Sequence, residues 1–145
     1  VQIIGYGYRI NSKKLAAKIN SNYTYKEYSW SQKKDTTFYG KLKENVFENE
    51  LKKISFIIGA YSHFGEQKDK RYSLRFVNSL SKFAECEKIL KELGCKKVEI
   101  KIIKAIPTTQ LIFFNPSKKL ELYFEKYNYL RKEILESRDE ILKGL

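Results

Sequence analysis

RYSLRFV, residues 71–77, alternates without a break: Tyr72, Leu74 and Phe76 are apolar, while Arg71, Ser73 and Arg75 are polar. A period of two sends these sets to opposite sides of a β-strand, so the stretch predicts one face in a core and one in water. Its neighbours set the fold class. Upstream, Ile54–Tyr61 (ISFIIGAY) is apolar apart from Ser55 and Gly59 and reads as a buried strand, with the polar stretch 62–70 and its Gly65 as the hairpin loop between the two. Downstream, Leu80, Phe83, Ala84, Leu90 and Leu93 recur near helical spacing, and Gly94 stands where a left-handed residue closes a helix. Val98–Ile106 follows as a strand with Val98, Ile100 and Ile102 inward and Lys97, Glu99 and Lys101 outward. Pro107, Thr108 and Thr109 turn the chain into a last strand, Gln110–Phe114.

Toward the N-terminus, Val1–Arg9 reads as a first strand containing Gly5 and Gly7. Asn11 and Ser12 offer a cap to a short helix, Lys13–Asn20, with Leu15, Ala16 and Ile19 on one stripe. Tyr23–Trp30 is rich in residues that suit a pleated surface, Gln32–Gly40 reads as a polar loop, and Leu42–Lys53 as a short helix. Toward the C-terminus, Asn115 can cap and Pro116 can open a helix that runs from 116 to 143. Leu120, Tyr123, Phe124, Tyr127, Leu130, Ile134 and Ile141 form its apolar stripe. Such a helix is about 40 Å long, more than a small domain is wide. Either a partner helix, such as one from a second copy, covers the excess, or the helix bends or lies across the sheet.

The order of elements predicts an α+β fold: a mainly antiparallel sheet with helices on one face and a long C-terminal amphipathic helix. A split β-α-β core of ferredoxin type is one subset of that architecture. The 145 residues suit a single domain, with 116–143 a long C-terminal helix that has the length to extend beyond the core.

Twenty-nine Lys and Arg against seventeen Asp and Glu give a net charge of +12. The excess is shared equally between residues 1–70 and 71–145, so it belongs to the folded body and not to a tail. A charge of this size favours polyanionic partners, nucleic acid first among them. Cys86 and Cys95 make no disulfide framework and suit a reducing cytoplasm. With His63 the sole histidine, a Cys/His zinc site lacks a fourth ligand; no metal and no cofactor are expected. The longest apolar run, Ile54–Ala60, is far too short to span a bilayer. The sequence holds no Met and opens on Val1, which leaves room for residues upstream.

The first candidate site is a basic, partly aromatic sheet face. Arg71, Arg75, Lys97 and Lys101 supply cations for phosphates, and Tyr6 and Tyr8 rings for bases, with Tyr23, Tyr25, Tyr28 and Trp30 on further extended segments. The second is the loop SHFGEQKDKR, residues 62–71, whose His63, Glu66 and flanking cations have the composition of a metal-independent ribonuclease of toxin type. The third, Glu99-Ile100-Lys101, has the E-x-K form of some magnesium-dependent nuclease strands but lacks a second acidic residue nearby. Gly5-Tyr6-Gly7 lacks the spacing of a dinucleotide fingerprint, and no Walker or nucleophile-elbow sequence occurs. The favoured expectation is therefore a non-enzymatic protein that binds RNA, DNA or a nucleotide-like anion. The alternatives are a protein–protein inhibitor or immunity factor that uses the C-terminal helix, and the small ribonuclease. Membrane binding is not expected, because the polar face of the last helix mixes both signs of charge.

Overall fold

The computed structural model of the chain describes residues 11–29 and 36–143, which form two compact units: a small one ending at Val46 and a larger one from Phe47 on. The expected strand Val1–Arg9 lies outside the described residues.

The small unit begins with α1 (Lys13–Asn20), capped by Ser12, whose Oγ accepts a hydrogen bond from the Leu15 backbone N–H at 3.2 Å. Two antiparallel strands follow, β1 (Tyr23–Ser29) and β2 (Thr36–Leu42), with Tyr23 opposite Leu42 and Ser29 opposite Thr36. The second strand occupies much of the stretch expected to be a loop. Its Thr-Thr-Phe-Tyr run suits a pleated ribbon, and a polar average hides that preference. No helix begins at Leu42, which closes β2.

The larger unit opens with α2 (Glu50–Phe64), where a strand was expected over Ile54–Tyr61. An unbroken apolar run has no period of its own, so a buried helix and a buried strand look alike in it. The cap decides for the helix: Asn49 accepts from the Lys52 N–H at 2.9 Å. Ile54, Ile57, Ile58 and Tyr61 then bury one stripe, and Ser55 and Gly59 stay exposed. From there β3 (Gly65–Lys68) turns through Asp69, at φ 56°, into β4 (Arg71–Val77). Next come α3 (Leu80–Glu92), closed by Gly94 at φ 74°, then β5 (Lys96–Ile103) and β6 (Thr109–Asn115). The C-terminal helical region starts at Ser117, whose side chain accepts from the Leu120 N–H, and not at the expected cap Asn115. It runs as α4 (Lys118–Lys126) and, after a single interrupting residue, Tyr127, as α5 (Asn128–Lys143).

Strands β3, β4, β6 and β5 form one sheet in that order, every neighbour antiparallel. Thus β4 and β5 run parallel, α3 joins them and β6 fills the gap, which is a split β-α-β unit. Helices α2 and α3 pack on one face, over Tyr72, Leu74 and Phe76 of β4 and Ile112 and Phe114 of β6. Leu120 and Phe124 of α4 join the same core. A fully buried side chain of this kind contributes roughly 1.5–3 kcal/mol relative to leaving it in water. The result is the expected α+β architecture, with helices on one face of an antiparallel sheet and a helical C-terminus.

Candidate nucleic-acid interface

Because the helices take one face of the sheet, the pairing register fixes what stands on the other. Directly opposed residues share a face. Arg75 is opposite Leu111, which is opposite Lys101; Ser73 is opposite Phe113, which is opposite Glu99. Arg71 lies two residues before Ser73 and is opposite Lys68. Three of the four cations expected from sequence, Arg71, Arg75 and Lys101, therefore share the open face, and all three are exposed.

Lys97 does not join them by register. The ladder steps from Lys96 opposite Asn115 to Glu99 opposite Phe113, so β5 carries one extra residue, a β-bulge, with Lys97 at φ 51°. The extra residue breaks the simple alternation that placed Lys97 beside Glu99 and Lys101, and Lys96 takes the ladder position instead. The bulge leaves Val98 packed against the core. Farther along β5, at the sheet edge, Ile100 and Ile102 point to the helix side as expected but remain half-exposed. Tyr6 and Tyr8 lie outside the described residues.

The cations of the open face are not equivalent. Arg71 makes an ion pair with Glu99, and its guanidinium lies 4.9 Å from the centre of the Phe113 ring. The pair partly neutralises Arg71 and holds its plane over the aromatic ring. Arg75 and Lys101 have no carboxylate partner among the described residues. Leu111 and Phe113 between them are half-buried and give the centre of the face an apolar floor. Sequence reasoning missed both: in Leu111–Phe114 every residue is apolar, so parity alone cannot say which of them face outward.

Compared with protein-family models, curated protein sequences and solved structures, the chain matches none.

The stretch 62–71 comes apart in the fold. His63, in the last turn of α2, lines a groove of ≈ 370 Å³ between α2, α4 and α5, together with Ile58, Tyr123, Tyr127, Leu130 and Ile134. Glu66, opposite Ser73, stands on the open face of the sheet. An acid–base pair needs both groups at one substrate, and these two belong to different surfaces. For the E-x-K pattern, the position across from Glu99 is Phe113, not an acid, and Glu99 is already paired with Arg71. Among the described residues no three His, Cys, Asp or Glu side chains gather as metal ligands, and no helix is long and apolar enough to cross a membrane. Cys86 is fully buried in α3, where burial pushes its thiol far above the ordinary range; burial also raises that of the partly buried Cys95. Both are held as thiols, the unreactive form.

Proposed function

We propose that the protein binds nucleic acid, RNA or DNA, through the open face of its four-stranded sheet and does so without catalysing a reaction. One observation carries the reading: Arg75 and Lys101 flank Leu111 on three adjacent strands, exposed and without carboxylate partners among the described residues. Neighbouring strands are about 4.8 Å apart, so the two cations emerge on the order of 10 Å from each other across an apolar floor. Phosphates can take the cations, and the Leu111–Phe113 floor can take the flat faces of bases or the sugar edges. The net charge of +12 supplies the long-range attraction that brings a polyanion to such a face.

The other readings draw less support. A ribonuclease built on His63 and Glu66 would need both on one surface. A protein partner on the last helix would have to enter the groove where Leu130 and Ile134 already face α2.

The test is binding measured against salt. Arg75→Ala with Lys101→Ala should leave the fold intact, since both side chains are exposed, and should weaken binding uniformly across sequences. The slope of log K against log salt should fall by about 1.4 for a single strand or about 1.8 for a duplex, the value for two neutralised phosphates. Arg71→Ala should cost less, because Glu99 already offsets that charge. Wild-type slope and affinity in the double variant would remove the open face as the binding surface.

A further inference from the structure

We infer that the small unit carries a second nucleic-acid surface, on one face of the β1–β2 ribbon, and that this surface takes single-stranded chain. In the ribbon, Lys26 is directly opposite Tyr39, and Thr24 is directly opposite Lys41. These four residues share one face, and among the described residues of the ribbon that face holds no carboxylate. The one acid of β1, Glu27, is opposite Phe38 on the other face. The only buried residue of the ribbon with described side-chain placement, Leu42, is also on that other face, opposite Tyr23. Lys26, Tyr39 and Lys41 are all exposed, Tyr39 at 53%.

A tyrosine on a ribbon ordinarily serves packing, but this ring is more than half in solvent. Both of its cationic neighbours on that face are lysines: the Lys26 backbone is about 5 Å away across the ladder and that of Lys41 about 7 Å along the strand. Two cations beside one exposed ring suit a strand of nucleic acid, in which phosphates flank each base. A ring that stacks needs a base with a free face, which an unpaired strand offers and a closed duplex does not. The charge around it agrees. Among the described residues of the small unit, Lys13, Lys14, Lys18, Lys26, Lys41 and Lys43 stand against only Glu27 and Glu44. The ion pairs of the described residues all lie in the larger unit.

The test uses the full chain, with fluorescence anisotropy of an end-labelled oligothymidylate of about 20 nucleotides and of a duplex of the same length. Tyr39→Leu should weaken binding of the single strand roughly 5- to 150-fold, while Tyr39→Phe, which keeps the ring, should hold it near wild type. Lys26→Gln with Lys41→Gln should lower the single-strand salt slope by about 1.4. Circular dichroism should be unchanged in each variant, because none of these side chains is buried. Wild-type single-strand affinity and slope in the ribbon variants would overturn the inference, as would a loss confined to the duplex. The sheet-face reading stands apart: loss in the Arg75/Lys101 variant with none in the ribbon variants sinks only the ribbon, and the reverse sinks only the sheet. A wild-type chain that binds neither oligonucleotide would sink both.

Discussion

At Gly65 the chain leaves α2 for β3, and a Cβ built there would collide with both the ring and the carbonyl oxygen of Tyr61. The backbone itself, at φ −89° and ψ 145°, is open to any residue, so the demand for glycine comes from contact and not from conformation. The ring belongs to the aromatic core, 4.4 Å from Phe124 and 5.4 Å from Tyr72 between centroids, and has little room to yield. Burial there raises the Tyr61 hydroxyl's pKa, a rise that Arg131 partly offsets. Gly65→Ala should therefore destabilise the larger unit by about 1–3 kcal/mol, the usual cost of overpacking. A fall in the urea midpoint at constant slope would register it; an unchanged midpoint would mean that Tyr61 gives way freely. From sequence, Gly65 reads only as a turn residue. Its close approach to Tyr61 is invisible while residues 54–61 are taken for a strand. Lys97 was opaque for a related reason: alternation counts residues, and a bulge adds one that no local signal announces.

Arg131 fastens α5 to the end of α2. Its Nη2 and Nε donate to the Gly65 carbonyl oxygen at 2.8 and 3.3 Å, and its guanidinium lies 5.4 Å from the centre of the Tyr61 ring. Among the described residues these are the side-chain hydrogen bonds that tie α5 to the rest of the larger unit, so the Arg fork decides how firmly it docks. Arg131→Ala should raise amide hydrogen exchange across residues 128–143 by roughly tenfold, about 1.4 kcal/mol, the scale of a charge-assisted hydrogen bond, while β4 and β6 keep their protection. Arg131→Lys should fall between, because an ammonium can reach the carbonyl but has no plane to lay over the ring. Equal exchange in all three proteins would mean that the apolar stripe alone holds α5. At this scale the sequence was legible wherever a periodic run carried its own punctuation: 71–77, whose alternation is strict, and 80–93, which Gly94 closes. The stripe of the C-terminal helix was equally plain, but not its partner. Leu130 and Ile134 face a groove beside α2, and that groove exists only if 54–61 is helical.

For the whole molecule, a charge of +12 states how much cation there is but not where it stands; the two-residue period of β4 supplied the first half of that answer and the sheet register the rest. The same charge makes acid conditions costly, because each carboxylate that protonates adds to the self-repulsion. Two ion pairs tie α2 to its neighbours: Lys53 to Glu92 of α3 at 2.7 Å, and Glu50 to Lys119 of α4 at 2.8 Å. The hydrogen bond from Lys53 holds the Glu92 carboxyl below its ordinary range, and that to Glu50 holds the Lys119 ammonium above its own. A lowered carboxylate stabilises the fold above its unfolded pKa, and that help is lost as pH falls through the lowered value. A raised ammonium helps below its unfolded pKa, and that help is lost as pH rises through the raised value. Both pairs are therefore fully engaged across neutral pH, with Glu92 failing at the acid end and Lys119 at the alkaline end. Glu92→Gln should be less stable than wild type in urea at pH 7, and the gap should close as the pH falls below the ordinary carboxylate range, where wild-type Glu92 is itself neutral. Lys119→Gln should show the mirror image, its deficit shrinking as the pH rises beyond the ordinary lysine range. A Glu92→Gln deficit that persists undiminished in acid would assign the loss to packing between α2 and α3 instead of to the charge on Glu92.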